Sequence, residues 1–239
     1  MGETDIAASL AEPFGSFPQL IADNAARLGD AIAMRDDEGE LSWTGLGDRV
    51  ERIAAQLVED GLERGQSVAI LGYSSIPYAL VFLAAVRAGG VAAPLTTSAS
   101  PDQLAGMARD SGAKHIFIDR AKLTELGEDC FPGMERIVLD EELNGWMAEE
   151  GVTAPEFVPE PGDSFNIIYS SGTTGVPKGI VHSHQMRWRQ FAATAASWIE
   201  NGLPVRALAS TPLYSNTTMV AFLPPLLAGG TVRVMRKFE

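Results

Sequence analysis

The 239-residue sequence is poor in the two residue types that most often build cross-links and zinc sites. It has one cysteine, Cys130, which excludes an intramolecular disulfide, and it has only three histidines. So few soft ligands leave little material for a zinc centre. We interpret Cys130 as a partly buried small residue rather than a nucleophile, because no histidine flanks it in the sequence.

Positive charge and long apolar runs are also scarce. The 18 Lys and Arg residues face 31 Asp and Glu residues, and the net charge of −13 repels polyanions, so nucleic acid is not an expected partner. The longest apolar stretch, 79–93, is interrupted by Arg87, Gly89 and Gly90 and is too short to span a bilayer. The first residues lack a basic region and an apolar signal. These features predict a soluble, cytoplasmic protein without a stable membrane anchor.

Hydrophobic periodicity alternates between the helical and the strand pattern along the chain. Alternating strands and helices are typical of βαβ units, so the fold class is predicted to be α/β, with a largely parallel sheet flanked by helices. Ser16, Thr44 and Ser100 are expected helix caps, and a later helix is expected over 219–228. The predicted strands are 31–34, 41–43, 67–71, 91–95, 115–118, 136–139, 164–169, 179–182, 206–210 and 231–235.

One segment reads differently from the rest. Residues 140–160 are acidic and lead into Pro155, Pro159 and Pro161, which predicts a surface helix followed by an extended linker. The chain is interpreted as one domain part over 1–239, with an internal boundary near 151–163 left open.

The most specific motif runs from Tyr169 to Gly179 and reads Tyr-Ser-Ser-Gly-Thr-Thr-Gly-Val-Pro-Lys-Gly. Glycines let backbone N–H groups approach an anion closely, and hydroxyls add neutral donors. Lys178 adds a positive charge directly after the stiff Pro177. The pattern indicates a polyphosphate-binding loop, but it is not a Walker A motif, because Lys178 is followed by glycine rather than by Ser or Thr.

This loop resembles the phosphate-loop signature of the adenylate-forming (AMP-binding) superfamily, which includes acyl-CoA synthetases, fatty-acid–CoA ligases and nonribosomal-peptide adenylation domains. Three weaker stretches agree with that family in order and spacing, and the resemblance covers the chain from about residue 16 to its end. They are 41–46, 86–95, and 211–214 followed by 223–231. Taken without the family, each stretch is better explained by packing and turns.

The resemblance implies a fold like part of the large N-terminal domain of acyl/aryl-CoA synthetases. It implies a ligase that uses ATP and Mg²⁺ to convert a carboxylic acid to an acyl-adenylate and then transfers the acyl group to coenzyme A, as in fatty acid metabolism. Lys178 and Thr173 would be catalytic, and Thr174 would contact the metal. The ATP-binding set would be Ser170, Ser171, Gly172, Thr173, Thr174, Gly175 and Lys178.

A second implied region is the substrate pocket at Tyr214, Ser215 and Asn216. Many acyl-CoA synthetases have a histidine where this chain has Ser215, so no catalytic histidine is carried over. The acid, fatty or aromatic, is left open.

Other family elements are not found in the sequence: no Tyr-Gly-x-Thr-Glu, Thr-Gly-Asp or Gly-Arg occurs. The resemblance therefore implies an N-terminal portion of such an enzyme, without the C-terminal half and inactive by itself. The alternative is a non-catalytic nucleotide-binding or interaction module. A homodimer is left open.

The three histidines are given mainly structural roles. His115 is expected to be an ordinary residue at a strand edge, and His182 a structural strand residue. For His184, helix capping or structural hydrogen bonding is favoured over substrate contact.

Overall fold

The computed structural model of the chain describes residues 2–170 and 177–237. Helices and strands alternate along most of these ranges, as the periodicity predicts. The helices are α1 (Glu3–Ala11), α2 (Phe17–Leu28), α3 (Trp43–Glu59), α4 (Ile76–Arg87), α5 (Pro101–Ser111), α6 (Arg120–Leu126), α7 (Leu143–Trp146), α8 (His184–Glu200) and α9 (Asn216–Leu227). The strands are β1 (Ile32–Arg35), β2 (Glu40–Ser42), β3 (Ser67–Leu71), β4 (Val91–Pro94), β5 (His115–Ile118), β6 (Glu135–Val138), β7 (Ser164–Ser170), β8 (Lys178–Ser183), β9 (Arg206–Ala209) and β10 (Thr231–Val234).

The strands form two sheets, one of six strands in the order β6-β5-β3-β4-β7-β8 and one of four in the order β2-β1-β10-β9. All neighbouring pairs are parallel except β1–β2 and β7–β8, which are antiparallel hairpins. The α/β class with mostly parallel sheets is therefore confirmed. Strands β3, β4 and β5 are buried throughout, which explains their continuous apolar sequence.

Each sheet takes strands from both sides of residues 151–163. Strand β4 pairs with β7, and β1 pairs with β10. Residues 151–163 therefore connect two parts of the chain that contribute strands to the same two sheets. An internal boundary there stays a prediction about folding units.

The larger part of the core lies among the helices that pack between the sheets. Phe17 and Phe82 both contact the ring of Phe165, at centroid distances of 5.0 and 6.1 Å. Trp188 of α8 packs edge-on against Phe17, and Phe82 packs edge-on against Phe222 of α9. This aromatic cluster fixes α8 and α9 relative to β7, which positions the segments discussed below.

Helix boundaries differ from the predictions where a cap was misread. Ser42, not Thr44, caps α3, because its Oγ accepts from the Gly45 N–H at 3.1 Å. Helix α9 begins at Asn216, three residues before its predicted start, since Ser215 caps it.

Three further helices were missed or overstated. The acidic segment 140–160 contains only the single turn α7, and its remainder is irregular. Helices α1 and α6 were not predicted, and α6 has only seven residues. Among the described residues, no helix combines the length and apolar character needed to cross a bilayer.

Candidate active site

The predicted phosphate loop connects the two strands of the β7–β8 hairpin. Ser170 ends β7 and Lys178 begins β8, and the two residues pair directly opposite each other. Both are exposed. The other predicted loop residues lie outside the described residues: Ser171, Gly172, Thr173, Thr174 and Gly175. The structure therefore describes the two flanks of the predicted loop, at the carboxyl end of β7.

A buried anchor holds the loop end of this hairpin against α5. The Tyr169 hydroxyl lies 2.9 Å from the Met107 carbonyl oxygen and 3.0 Å from Oδ2 of Asp110. Burial, reinforced by the Asp110 carboxylate, raises the pKa of Tyr169 well above its usual range. Gly179, which pairs with Tyr169 across the hairpin, leaves room for this contact. A Cβ at this position would lie 3.0 Å from the Ile167 side chain and 3.1 Å from Asp110. A larger residue here would therefore crowd these side chains.

The predicted substrate pocket lies at the amino terminus of α9. Ser215 is its N-cap, and its Oγ accepts from the Thr217 N–H at 3.3 Å, so this hydroxyl has a structural task. Tyr214 is half-buried, beside the fully buried Tyr78, whose pKa burial raises well above its usual value. The Ser74 hydroxyl fixes Leu213, the residue before Tyr214, by accepting from its N–H at 3.1 Å.

Arg187 joins these two regions, and it was not among the predicted site residues. Its guanidinium is fully buried. Nε donates to Oδ1 of Asn166 on β7 at 2.9 Å, and Nη1 donates to Oδ1 of Asn216 on α9 at 2.8 Å. Nη1 also donates to Oε1 of Gln190 at 2.8 Å. One buried side chain thus connects the strand of the predicted loop to the predicted pocket.

The charge of Arg187 is not matched by a carboxylate among the described residues, since its three acceptors are amide oxygens. Its Nη2 is buried without a hydrogen-bond partner in the described chain. Burial lowers the pKa of Arg187 to about 10, so the group is still protonated at neutral pH. A buried cation with a free donor favours an anion over a second cation in its surroundings.

The sequence did contain a signal for Arg187. It lies three residues after His184 and four before Phe191, on the helix face whose other members are buried. A charge at an apolar position of an amphipathic helix indicates a buried polar contact.

Neither histidine of this region is charged at neutral pH. His184 is buried between Phe157 and Phe165, with ring centroids at 5.9 and 5.0 Å, and burial lowers its pKa to about 4. Ser183 caps α8 instead, accepting from the Met186 N–H at 3.2 Å. Burial, and then the charge of Arg187, lower the pKa of His182. Neither ring nitrogen of His184 has a hydrogen-bond partner among the described residues, so the structural hydrogen bond expected for this ring is not formed and the ring packs between two phenyl groups.

Cys130 is half-buried, as predicted. Burial raises the pKa of its thiol, which reduces the thiolate fraction at neutral pH.

The comparison with known families agrees with this geometry. The family model described as AMP-binding enzyme matches residues 21–239. The chain therefore belongs to the AMP-binding enzyme family, as the loop signature predicted.

Individual relatives fall into two groups within that family. The chain is 31% identical over 163 residues to the L-proline–[L-prolyl-carrier protein] ligase of Pseudomonas fluorescens, covering 66% of this chain and 33% of that protein. Its fold resembles a structure assigned as a long-chain fatty-acid–CoA ligase from Rhodopseudomonas palustris, with a TM-score of 0.82 and 21% identity over 95% of this chain and 58% of the other.

A second solved structure with the same fold is the o-succinylbenzoate-CoA synthetase of Bacillus subtilis in complex with its acyl-adenylate intermediate. Its TM-score is 0.75 and its identity 23%, over 93% of this chain and 57% of that one. The chain thus spans somewhat more than half of these two structures and a third of the proline ligase.

Proposed function

We propose that the chain is part of an ATP-dependent ligase that activates a carboxylic acid as an acyl-adenylate and transfers it to coenzyme A. The observation that carries the proposal is the hairpin tip, where Ser170 and Lys178 face each other at the end of β7 within a family signature. Ends of parallel strands are the usual ligand sites of α/β sheets. In this proposal the chain forms the N-terminal part of a larger enzyme.

ATP and Mg²⁺ suit the groups at this tip. Lys178 is exposed and forms no ion pair with any described residue, so its ammonium is available to a phosphate. The Ser170 hydroxyl on the opposite strand is also exposed and adds a donor. Bound ATP supplies the phosphate that the acid attacks and the pyrophosphate that leaves. In our proposal Lys178 and Thr173 stabilise the charge that develops on the phosphates, and Thr174 contacts the metal.

The pocket residues support an acid without an amino group. In the proposed site the acid lies near Tyr214, Ser215 and Asn216. In this proposed pose the amino group of an α-amino acid would lie near Asn216, whose amide oxygen is 2.8 Å from the buried guanidinium of Arg187. Two cations at this range repel each other, and no described carboxylate offsets Arg187. We therefore favour coenzyme A ligation of a fatty or aromatic acid over amino-acid loading of a carrier protein.

ATP–pyrophosphate exchange with matched acids tests the proposal. The assay uses the full-length enzyme that carries this chain, with hydrocinnamate against phenylalanine and hexanoate against 2-aminohexanoate. We expect exchange with hydrocinnamate, hexanoate or both, the two acids that lack an amino group. Acyl-CoA should then form when coenzyme A is added. Preferential exchange with the amino acids would contradict the substrate class.

Exchange with none of a broad panel of fatty, aromatic and amino acids would contradict the enzymatic proposal. If ATP still bound in that case, the non-catalytic nucleotide-binding module would be the better description. The 239-residue chain alone should bind Mg²⁺-ATP only weakly, with a dissociation constant of roughly millimolar or above, because phosphate contacts contribute about 0.5–1.5 kcal/mol each. Isothermal titration measures this value.

Exposed apolar side chains on two sheet edges support the larger enzyme. Ile180 and Val181 of β8 and Leu208 of β9 are each about half exposed, on strands that each have one unpaired edge. Such edges are usually covered by another segment or another chain. A homodimer of the 239-residue chain would be the competing explanation, and sedimentation equilibrium distinguishes the two by mass.

A further inference from the structure

His115 occupies a position that its sequence did not suggest. It was expected at a strand edge, but β5 lies inside the six-stranded sheet between β3 and β6. Its side chain is only 2% exposed. Neither ring nitrogen has a hydrogen-bond partner among the described residues. Because buried imidazoles are normally hydrogen-bonded or bound to a metal, this arrangement needs an explanation.

Two carboxylates converge on this ring. Nε2 of His115 lies 3.4 Å from Oε2 of Glu135, the first residue of β6. Asp60, at the carboxyl end of α3, completes a group whose three ligand atoms lie within 4.8 Å of one another. The three residues come from three separate elements, so only the tertiary structure brings them together.

Outer contacts orient the Asp60 carboxylate. Its Oδ1 accepts from Nε2 of Gln56 at 2.8 Å, and its Oδ2 accepts from Nε1 of Trp146 at 3.1 Å. Trp146 is itself held edge-on against Phe117, two residues after His115 on the same strand. Second-shell hydrogen bonds of this kind fix the direction of carboxylate ligands in metal sites. Each carboxylate oxygen keeps a lone pair for a further bond.

The spacing suits a small divalent ion. Four-coordinate zinc with bonds of about 2.0–2.2 Å holds neighbouring ligand atoms roughly 3.3–3.5 Å apart. The His115–Glu135 distance of 3.4 Å already matches, and Asp60 needs only a small side-chain shift to reach the same range. Glu135 is 53% exposed, which leaves a path for the ion and a place for water as a fourth ligand.

We infer that Asp60, His115 and Glu135 form a binding site for a divalent transition-metal ion of the zinc class. The two carboxylates carry two negative charges, which a divalent cation neutralises. The imidazole nitrogen selects zinc-like ions over Mg²⁺ and Ca²⁺, which prefer oxygen ligands. The site is separate from the β7–β8 hairpin and joins α3 to β5 and β6, so the ion would stabilise the fold rather than act on the acid.

Titration of the 239-residue chain with Zn²⁺ and Co²⁺, after metal removal by chelator, tests this site. A buffer containing millimolar Mg²⁺ suppresses binding to surface carboxylates. We expect one equivalent of each metal to bind, with a Co²⁺ visible spectrum typical of four- or five-coordination. At a hundredfold excess of Zn²⁺ over its dissociation constant, the Tm should rise by roughly 5–10 °C.

Isosteric variants assign the ligands. Glu135→Gln and Asp60→Asn should each weaken binding at least tenfold and remove the Tm shift, whereas Glu200→Gln, an exposed glutamate on α8, should retain both. His115→Gln should abolish the Co²⁺ spectrum. If His115→Gln does not fold, the exposed Glu135 still provides the test. Absence of a stoichiometric site, or equal affinity in Glu135→Gln and Glu200→Gln, would overturn the inference.

Discussion

Two buried basic side chains lie at opposite ends of one row of the six-stranded sheet and have different surroundings: His115 belongs to the row, and Arg187 of α8 binds its last residue. His115 of β5 is in register with Val68 of β3. The same row passes through Ala92 of β4 and ends at Asn166 of β7, which accepts a hydrogen bond from Arg187. At the β5 end the base faces the carboxylates of Glu135 and Asp60. At the β7 end Arg187 donates hydrogen bonds to amide oxygens alone among the described residues, and its guanidinium lies over the ring of Phe191.

The difference determines which ligand each region can take. The carboxylates around His115 make its surroundings negative, which suits a cation. A permanent cation among neutral amides keeps its charge uncompensated and suits an anion. Burial of a base therefore does not indicate its function until the charge of its neighbours is known.

The largest expected effect is a loss of folding stability at low pH, caused by the buried ring of His184. The pKa of His184 is about 4 in the folded chain against about 6.5 when unfolded, so the unfolded state takes up the proton first as the pH falls. The stability contribution is complete above pH 6.5 and is lost toward pH 4, by up to about 3 kcal/mol. His182 adds to the loss in the same direction. Urea unfolding at pH 7, 5.5 and 4 measures the slope.

The variant His184→Phe should flatten this pH dependence, because a phenyl ring fills the space between Phe157 and Phe165 without a titrating group. Glu200→Gln should leave the slope unchanged. A His184→Phe protein with the slope of the parent chain would show that His184 is not the group responsible.

The next effect concerns Lys178, the first residue of β8, at the exposed tip of the β7–β8 hairpin. Lys178→Ala in the proposed full-length enzyme should lower the adenylation rate by about 10²-fold, the scale of one lost charge-stabilising donor. The fold should be unaffected, since the side chain is exposed. Lys114→Ala, at another exposed lysine, is the control. An unchanged rate at saturating ATP and acid would remove Lys178 from the mechanism.

Changing the neighbour of Arg187 tests the comparison directly. Asn166→Leu removes an acceptor from the buried guanidinium and should lower the free energy of unfolding by about 2 kcal/mol. Asn166→Asp instead supplies a carboxylate, as Glu135 does for His115, and should be more stable than the leucine variant. Denaturant unfolding at pH 7 measures both. Equal stability of the two variants would mean that the charge of Arg187 is compensated by another route.

The smallest effect concerns the Tyr169 anchor at the loop end of the hairpin. Tyr169→Phe loses the hydroxyl contact with Asp110 and the Met107 carbonyl, and should cost about 1 kcal/mol. Tyr73→Phe is the control, because that hydroxyl has no hydrogen-bond partner among the described residues, and it should stay within about 0.5 kcal/mol. Thermal unfolding of both variants gives the difference.

Local signals predicted most of the fold. The capping box at Ser100 and Gln103 is present, and the buried strand at 67–71 has the predicted bounds. Such features depend on residues within a few positions of each other. Short elements with weaker patterns failed: the expected helix in 140–160 is one turn, and seven-residue α6 was not foreseen.

The sequence by itself determined the α/β class, the family and the two strands that flank the predicted phosphate loop, because each depends on periodicity or on contiguous residues. Only the tertiary structure decided that Arg187 links β7 to α9 and that Asp60, His115 and Glu135 meet. These contacts join residues 20 to 75 positions apart, and their partners depend on strand order and helix packing. No local pattern encodes that order, because it results from burying both faces of the sheet at once.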